Sequence, residues 1–205
     1  MTTVAKVDLH SHWFSPKIKQ YLLSKQTGIQ FTEKNGKIFL DRQKVDALPQ
    51  LFELGPQWFD IDLRLDHLKQ NQVVHQLLSW PTTLEIDSNI DVSESRYLTR
   101  PYHTDLGELL SLYPSQFSAL SYLSTSDIEF ATDELKRGHE ELGFIGGVLP
   151  VGALSSYASA QHFTDLFKTA NELSSHIYLH TGSAHDTVQQ QVKSSDLLST
   201  PAQIQ

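Results

Sequence analysis

Short apolar runs recur along this chain, separated by stretches with apolar residues every three or four positions. Val4 to His10, Val73 to Ser79, Phe117 to Leu123, Phe144 to Leu149 and Ile177 to His180 read as five strands. Between them, Asp60–Gln70 carries Ile61, Leu65 and Leu68 at helical spacing, and a second helix is expected around Asp105–Leu112. A third begins at Ser126, where Ser126 and Glu129 have capping-box spacing, and buries Ile128, Ala131, Leu135 and Leu142. Phe163, Leu166, Phe167, Ala170 and Leu173 form the stripe of a fourth. The residues from Thr82 to Ser95 read as a polar loop, and Asp186 to Leu198 as a helix-prone tail.

Strands alternating with helices imply βαβ units and a parallel sheet, either open or part of a (β/α)8 barrel. No strand is followed by a G-x-G-x-x-G or P-loop sequence, which argues against an open nucleotide-binding sheet. Asn35-Gly36, between Phe31-Thr32-Glu33 and Lys37-Ile38-Phe39-Leu40, predicts a β-hairpin. It lies in an expected insertion after strand one, residues 27–58.

Composition narrows the class. The 205 residues are 39% hydrophobic and 20% charged, as in an ordinary globular domain. The net charge of −8 speaks against a nucleic-acid partner. No segment reads as membrane-spanning or as a signal peptide, so the expected location is the cytoplasm. There is no cysteine, so any metal must be held by His, Asp or Glu.

His10 and His12 then stand out. Residues two apart on a strand share a face, so both imidazoles point one way at the end of strand one. His180 ends strand five, 170 residues after His10. In parallel α/β folds the site lies at the C-terminal ends of the strands, so the trio is expected to hold one divalent cation, most simply Zn2+. Asp8 is either a support for this pair or structural. Strand four carries no Lys, Asp or Glu that could bridge a second metal, so a mononuclear centre is expected. The other histidines read as structural, with His185 in a loop near the proposed site. Trp13 and Trp80 follow strands one and two, where they are candidates to wall a substrate pocket with Ser79.

The opening Val7-Asp8-Leu9-His10-Ser11-His12-Trp13-Phe14-Ser15-Pro16 resembles strand one of the amidohydrolase superfamily. More narrowly, it resembles the amidohydrolase-related group that includes aminocarboxymuconate-semialdehyde decarboxylase. Arg64–Asn71 leading into Val73–Ser79, Tyr113–Leu120, Glu134–Arg137 with Leu142–Val148, and Ile177–His180 extend the resemblance over essentially the whole chain. It implies a (β/α)8 barrel with one metal, usually zinc, held by the His-x-His pair, the strand-five His and a strand-eight Asp. A strand-six His would assist. Such a barrel needs about 250 residues. The expectation is therefore a single domain over 1–205 that forms an incomplete barrel of about five βα units, truncated at its C-terminus. The strand-six His and strand-eight Asp have no counterpart, so no catalytic acid or base is identified within the chain.

The implied function is a metal-dependent carboxy-lyase or hydrolase acting on a small organic acid. The Arg that binds a substrate carboxylate in the named decarboxylase has no match before Trp58, so that enzyme's substrate is not carried over. Two other readings compete. One is a metal-dependent phosphoesterase of the polymerase-and-histidinol-phosphatase type, which also opens with Asp-Leu-His-x-His but continues differently. The other is an inactive barrel fragment, whose open edges would favour a homodimer.

Overall fold

The computed structural model describes residues 5–42 and 51–189. Five strands form a parallel sheet in the order β1 (Lys6–His12), β5 (Val73–Ser79), β6 (Phe117–Tyr122), β7 (Gly146–Pro150), β8 (His176–His180). Each strand pairs with the next one of this set, so the sheet grows outward in one direction. The helices that connect these strands are α2 (Ile61–Gln70), α3 (Val92–Leu112), α4 (Ile128–Glu141), and the pair α5 (Tyr157–Gln161) and α6 (Thr164–Glu172). A short α7 (Asp186–Gln189) follows β8, and the rest of the expected C-terminal helix lies outside the described residues. No helix among the described residues is long and apolar enough to cross a membrane.

The sheet curls strongly. β1 and β8 are its two edges, and four interstrand spacings would separate them by about 19 Å if the sheet were flat. Instead the rings of His10 on β1 and His180 on β8 lie 4.6 Å apart, centroid to centroid. This is the incomplete barrel the sequence implied: five strands of a cylinder, with the inner faces of first and last converging.

After β1 the chain forms α1 (Pro16–Ser24) and a three-stranded antiparallel sheet of β2 (Gln30–Lys34), β3 (Lys37–Asp41) and β4 (Phe52–Leu54). The hairpin turn sits where Asn35-Gly36 placed it. Both residues have positive φ, 53° and 73°, as a type I′ turn requires. Strand β4 was not foreseen; three residues are too short to show a period. Nor was α1, though its signals are conventional: Ser15 caps it through Ile18 N, Pro16 opens it, and Ile18 and Leu22 are buried.

Three further boundaries differ from the sequence reading. β1 runs on to His12 because Ser11 and His12 pair with Leu78 and Ser79. Helix α4 is capped by Asp127, whose carboxylate accepts from Phe130 N, one residue after the expected Ser126. Helix α3 has 21 residues and passes through Pro101, which reads locally as a breaker. Leu98, Tyr102, Leu106 and Leu109 are all buried along it, so packing outweighs the lost backbone bond.

The main core packs α1, α3 and the small sheet against β1, β5 and β6 through Phe14, Phe31, Leu78, Trp80 and Tyr102. A second cluster joins α4, α6 and β7 through Leu135, Leu149, Phe163 and Leu166. Between them lies a buried polar knot. His103 Nε2 accepts from Tyr122 N (2.7 Å), so Nδ1 carries the proton and donates to Glu134 Oε2 (2.7 Å). Arg137 adds a second donor to the same oxygen at 2.9 Å. The knot ties α3, α4 and β6 into one unit.

Candidate metal centre

The pairing of β1 with β5 contains an irregularity that shapes the site. Asp8 opposes Gln76, but Ser11 opposes Leu78, so three steps on β1 match two on β5. Regular alternation would put Asp8 on the face of His10 and His12. The extra residue breaks it, as a β-bulge does. Asp8 Oδ2 accepts from Gln76 Nε2 (2.7 Å), and Ser11 Oγ accepts from Arg64 Nη1 (2.9 Å), so both join a network with α2. Asp8 supports the pair through backbone: its Oδ1 accepts from His10 N at 3.0 Å.

The two imidazoles, freed from that network, meet the third. His10 Nε2 lies 2.7 Å from His180 Nε2 and 3.2 Å from His12 Nε2. One nitrogen from each ring lies within 4.8 Å of the others, and among the described residues this is the cluster of His, Asp and Glu that could hold a metal.

The far side of two rings fixes their tautomers. His12 Nδ1 lies 3.2 Å from the Ser79 carbonyl, which can only accept. His180 Nδ1 lies 2.9 Å from the Thr181 carbonyl and 2.7 Å from Thr82 Oγ1, whose own proton goes to Thr181 O. Both Nδ1 atoms therefore carry the hydrogen, and both Nε2 lone pairs face the centre. This is the outer support typical of metal-ligating histidines. Gly182 lets the Thr82 segment approach: a Cβ there would meet Thr82 O at 2.6 Å.

Three neutral imidazole nitrogens form a donor set that suits Zn2+ and other first-row divalent ions, and three protein ligands leave coordination positions for water or substrate. The surroundings of His12 and His180 favour the neutral ring. Burial lowers His12 to about 4; the Ser79 carbonyl opposes this, and His180, His10 and Arg64 reinforce it. Burial likewise lowers His180. Outside the site, His103 is lowered by complete burial.

These shifts predict an acid response. Each of the three holds its proton less tightly folded than at the unfolded value of 6.5. Below that value the unfolded chain binds more protons. The stability present above it is therefore lost as pH falls through 6.5 toward about 4 for His12. The urea midpoint of the metal-free protein should drop between pH 7.5 and pH 5, and a midpoint that held or rose would contradict this.

The expected substrate residues are placed differently. Trp13 and Trp80 are 3% and 0% exposed and belong to the core rather than to a pocket wall. Trp80 is stacked on Tyr122 at 4.8 Å and meets Tyr102 edge-on at 5.0 Å, while Trp13 faces Tyr102 at 6.5 Å. Position after a strand gave the right end of the sheet but not the direction of the indole. Ser79 is buried as well, and its Oγ and carbonyl both turn to His12 Nδ1. His185 stays outside the cluster, with Nε2 at the Ile90 carbonyl (3.2 Å) and Nδ1 at Thr187 Oγ1.

Three contributors were missed. Trp58 stacks on the His12 ring at 5.7 Å. Thr82 and Arg64 act from the loop after β5 and from α2. A cavity of about 310 Å3 opens beside the histidines, lined by Asp8, His12, Trp58, Arg64 and His67 among others. No period or motif marks such residues, because each reaches the site from another element.

No family model and no curated protein matches the chain. Solved structures do. A 2,6-dihydroxybenzoate decarboxylase from Rhizobium superposes with a TM-score of 0.59 at 21% identity, covering 87% of this chain and 50% of its own. The IDCase of Metarhizium anisopliae gives 0.72 at 13% identity, covering 93% and 54%. A 5-carboxyvanillate decarboxylase from Novosphingobium aromaticivorans, solved with bound manganese, gives 0.57 at 21%, covering 64% and 38%. The chain thus spans about half the length of the structures it matches. Fold and structural neighbours agree on the architecture: this chain is built as five βα units of an incomplete (β/α)8-type barrel, the fold of the structures it matches.

Proposed function

We propose that this chain holds a single divalent cation through His10, His12 and His180 and belongs to an enzyme that removes a carboxylate from, or hydrolyses, a small organic acid. The observation that carries this reading is the convergence of three Nε2 atoms from opposite edges of the sheet, two of them with their lone pairs aimed inward by carbonyl acceptors. A bound divalent ion supplies Lewis acidity toward a carboxylate or carbonyl oxygen and acidifies bound water. The chain's own groups do the rest. Ser79 and Thr82 orient the rings, Trp58 packs one face of His12, and the cavity beside them offers room for a small acid.

Decarboxylation is favoured over hydrolysis because structural neighbours include decarboxylases of hydroxylated aromatic acids, one with manganese. Manganese stands beside zinc as a candidate ion for the same reason. The phosphoesterase reading gains nothing from these neighbours. The test is a titration of metal-free protein with MnCl2 and with ZnCl2, followed by assay of CO2 release from 2,6-dihydroxybenzoate and related hydroxybenzoates. One ion per chain and CO2 release are expected. No bound ion would refute the reading, and two or three ions with phosphomonoester hydrolysis would return the phosphoesterase.

A further inference from the structure

Arg64 is 5% exposed, yet no carboxylate among the described residues lies within ion-pairing distance of it. The nearest acid in its network, Asp8, is reached only through Gln76, whose Nε2 donates to Asp8 Oδ2. Burying an unpaired cation is unfavourable, and a long apolar side chain would serve the packing of α2 better. Burial draws the guanidinium down to about 10, which leaves it charged at neutral pH.

What the guanidinium gains is four neutral acceptors. Nη1 donates to Ser11 Oγ (2.9 Å) and Gln76 Oε1 (2.7 Å). Nη2 donates to the carbonyls of His12 (2.5 Å) and Gln57 (2.7 Å). Three of these four surround His12: its own carbonyl, the side chain before it, and the turn whose next residue, Trp58, stacks on its ring. The same turn is pinned to the end of β1 by Phe14 N donating to Trp58 O at 2.9 Å. A planar fork can hold acceptors on several segments at once, whereas a lysine ammonium presents its three donors from one atom.

We propose that Arg64 is the positioning residue of the histidine cluster, locking the place and orientation of the His12 ring by gripping the tip of β1 and the Gln57–Trp58 turn together. The metal consequence rests on the reading above, while the orientation of His12 does not. The test uses the full chain and the variants Arg64→Met and Arg64→Lys. In metal-free protein, long-range 1H–15N spectra of the imidazoles should show wild-type His12 as one Nδ1–H tautomer. Both variants should show it as an exchanging mixture. With Co2+ as the probe, both should bind about 10- to 100-fold more weakly than wild type, the range seen when an outer support of a ligand is removed. Lysine keeps the charge, so its failure to rescue assigns the effect to the fork.

A merely structural residue would lower the melting temperature but leave His12's tautomer and the Co2+ affinity unchanged, and that result overturns the proposal. Should Arg64→Met fail to fold, Ser11→Ala removes one acceptor alone. A few-fold weaker Co2+ affinity supports the proposal, and no change in affinity or tautomer overturns it. If wild type takes up no Co2+, the functional reading falls, and the metal-free imidazole spectra still decide the role of Arg64.

Discussion

Replacing His180 by alanine should leave a folded protein that no longer retains a divalent ion. His180 is one of the three proposed ligands and the one supplied by β8, so its loss removes the link that closes the site across the curled sheet. Deleting an outer support of a ligand typically weakens binding 10- to 100-fold, so deleting the ligand itself should exceed about 100-fold. Metal content after dialysis, and competition with a chromogenic chelator, measure this directly. His75 provides the control. Its ring bonds to Ser115 O and Ser118 Oγ rather than to the cluster, and His75→Ala should bind metal as wild type does. Undiminished affinity in His180→Ala would remove the basis of the functional reading. The fold need not suffer in parallel, because Thr82 Oγ1 keeps its bond to Thr181 O when the ring is gone.

The second large effect lies away from the site. Glu134→Ala should destabilise the protein by about 3–5 kcal/mol, the cost of leaving one side of a buried ionic network without its partner. Glu134 is 1% exposed and faces His103, Arg137 and Arg100. Burial works to raise its pKa, but the bond from His103 and the charge of the two arginines prevail and hold it below the usual carboxylate value. Without the carboxylate, the His103 Nδ1–H has no acceptor in a fully buried place, since Nε2 is already committed to Tyr122 N. For a domain of this size, 1 kcal/mol corresponds to about 2–4 °C, so the melting temperature should fall by roughly 10 °C. Thermal and urea denaturation both test this. A loss below about 1 kcal/mol would mean that the carboxylate is not holding α3 to α4.

What could be read from the residues, and what could not, divides along a physical line. β5 through β8 and the helices α2, α4 and α6 follow local periods, and the Asn35-Gly36 turn follows from backbone geometry that only such residues adopt readily, so these were legible, whereas the five-residue α5 is too short to show a period. The histidine trio was legible because strand ends in parallel folds gather on one rim, whatever lies between them. Helix α3 starts 13 residues before the expected Asp105, and the buried stripe on either side of Pro101, a breaker by local rules, shows how packing carries it through. Trp13 and Trp80 were placed at the correct rim but on the wrong side of it, because a residue past the last strand pair has no alternation to obey.

The chain by itself therefore determined the five strands of a parallel sheet, most of the helices between them, the Asn35-Gly36 hairpin, and which three imidazoles share a rim. Those features depend on residue type and short-range spacing. Tertiary structure alone decided that the sheet curls enough to bring His10 onto His180, that a bulge turns Asp8 away from the pair, and that Arg64, Trp58 and Thr82 hold the rings. These depend on contacts between segments up to 170 residues apart, whose distances no local pattern encodes.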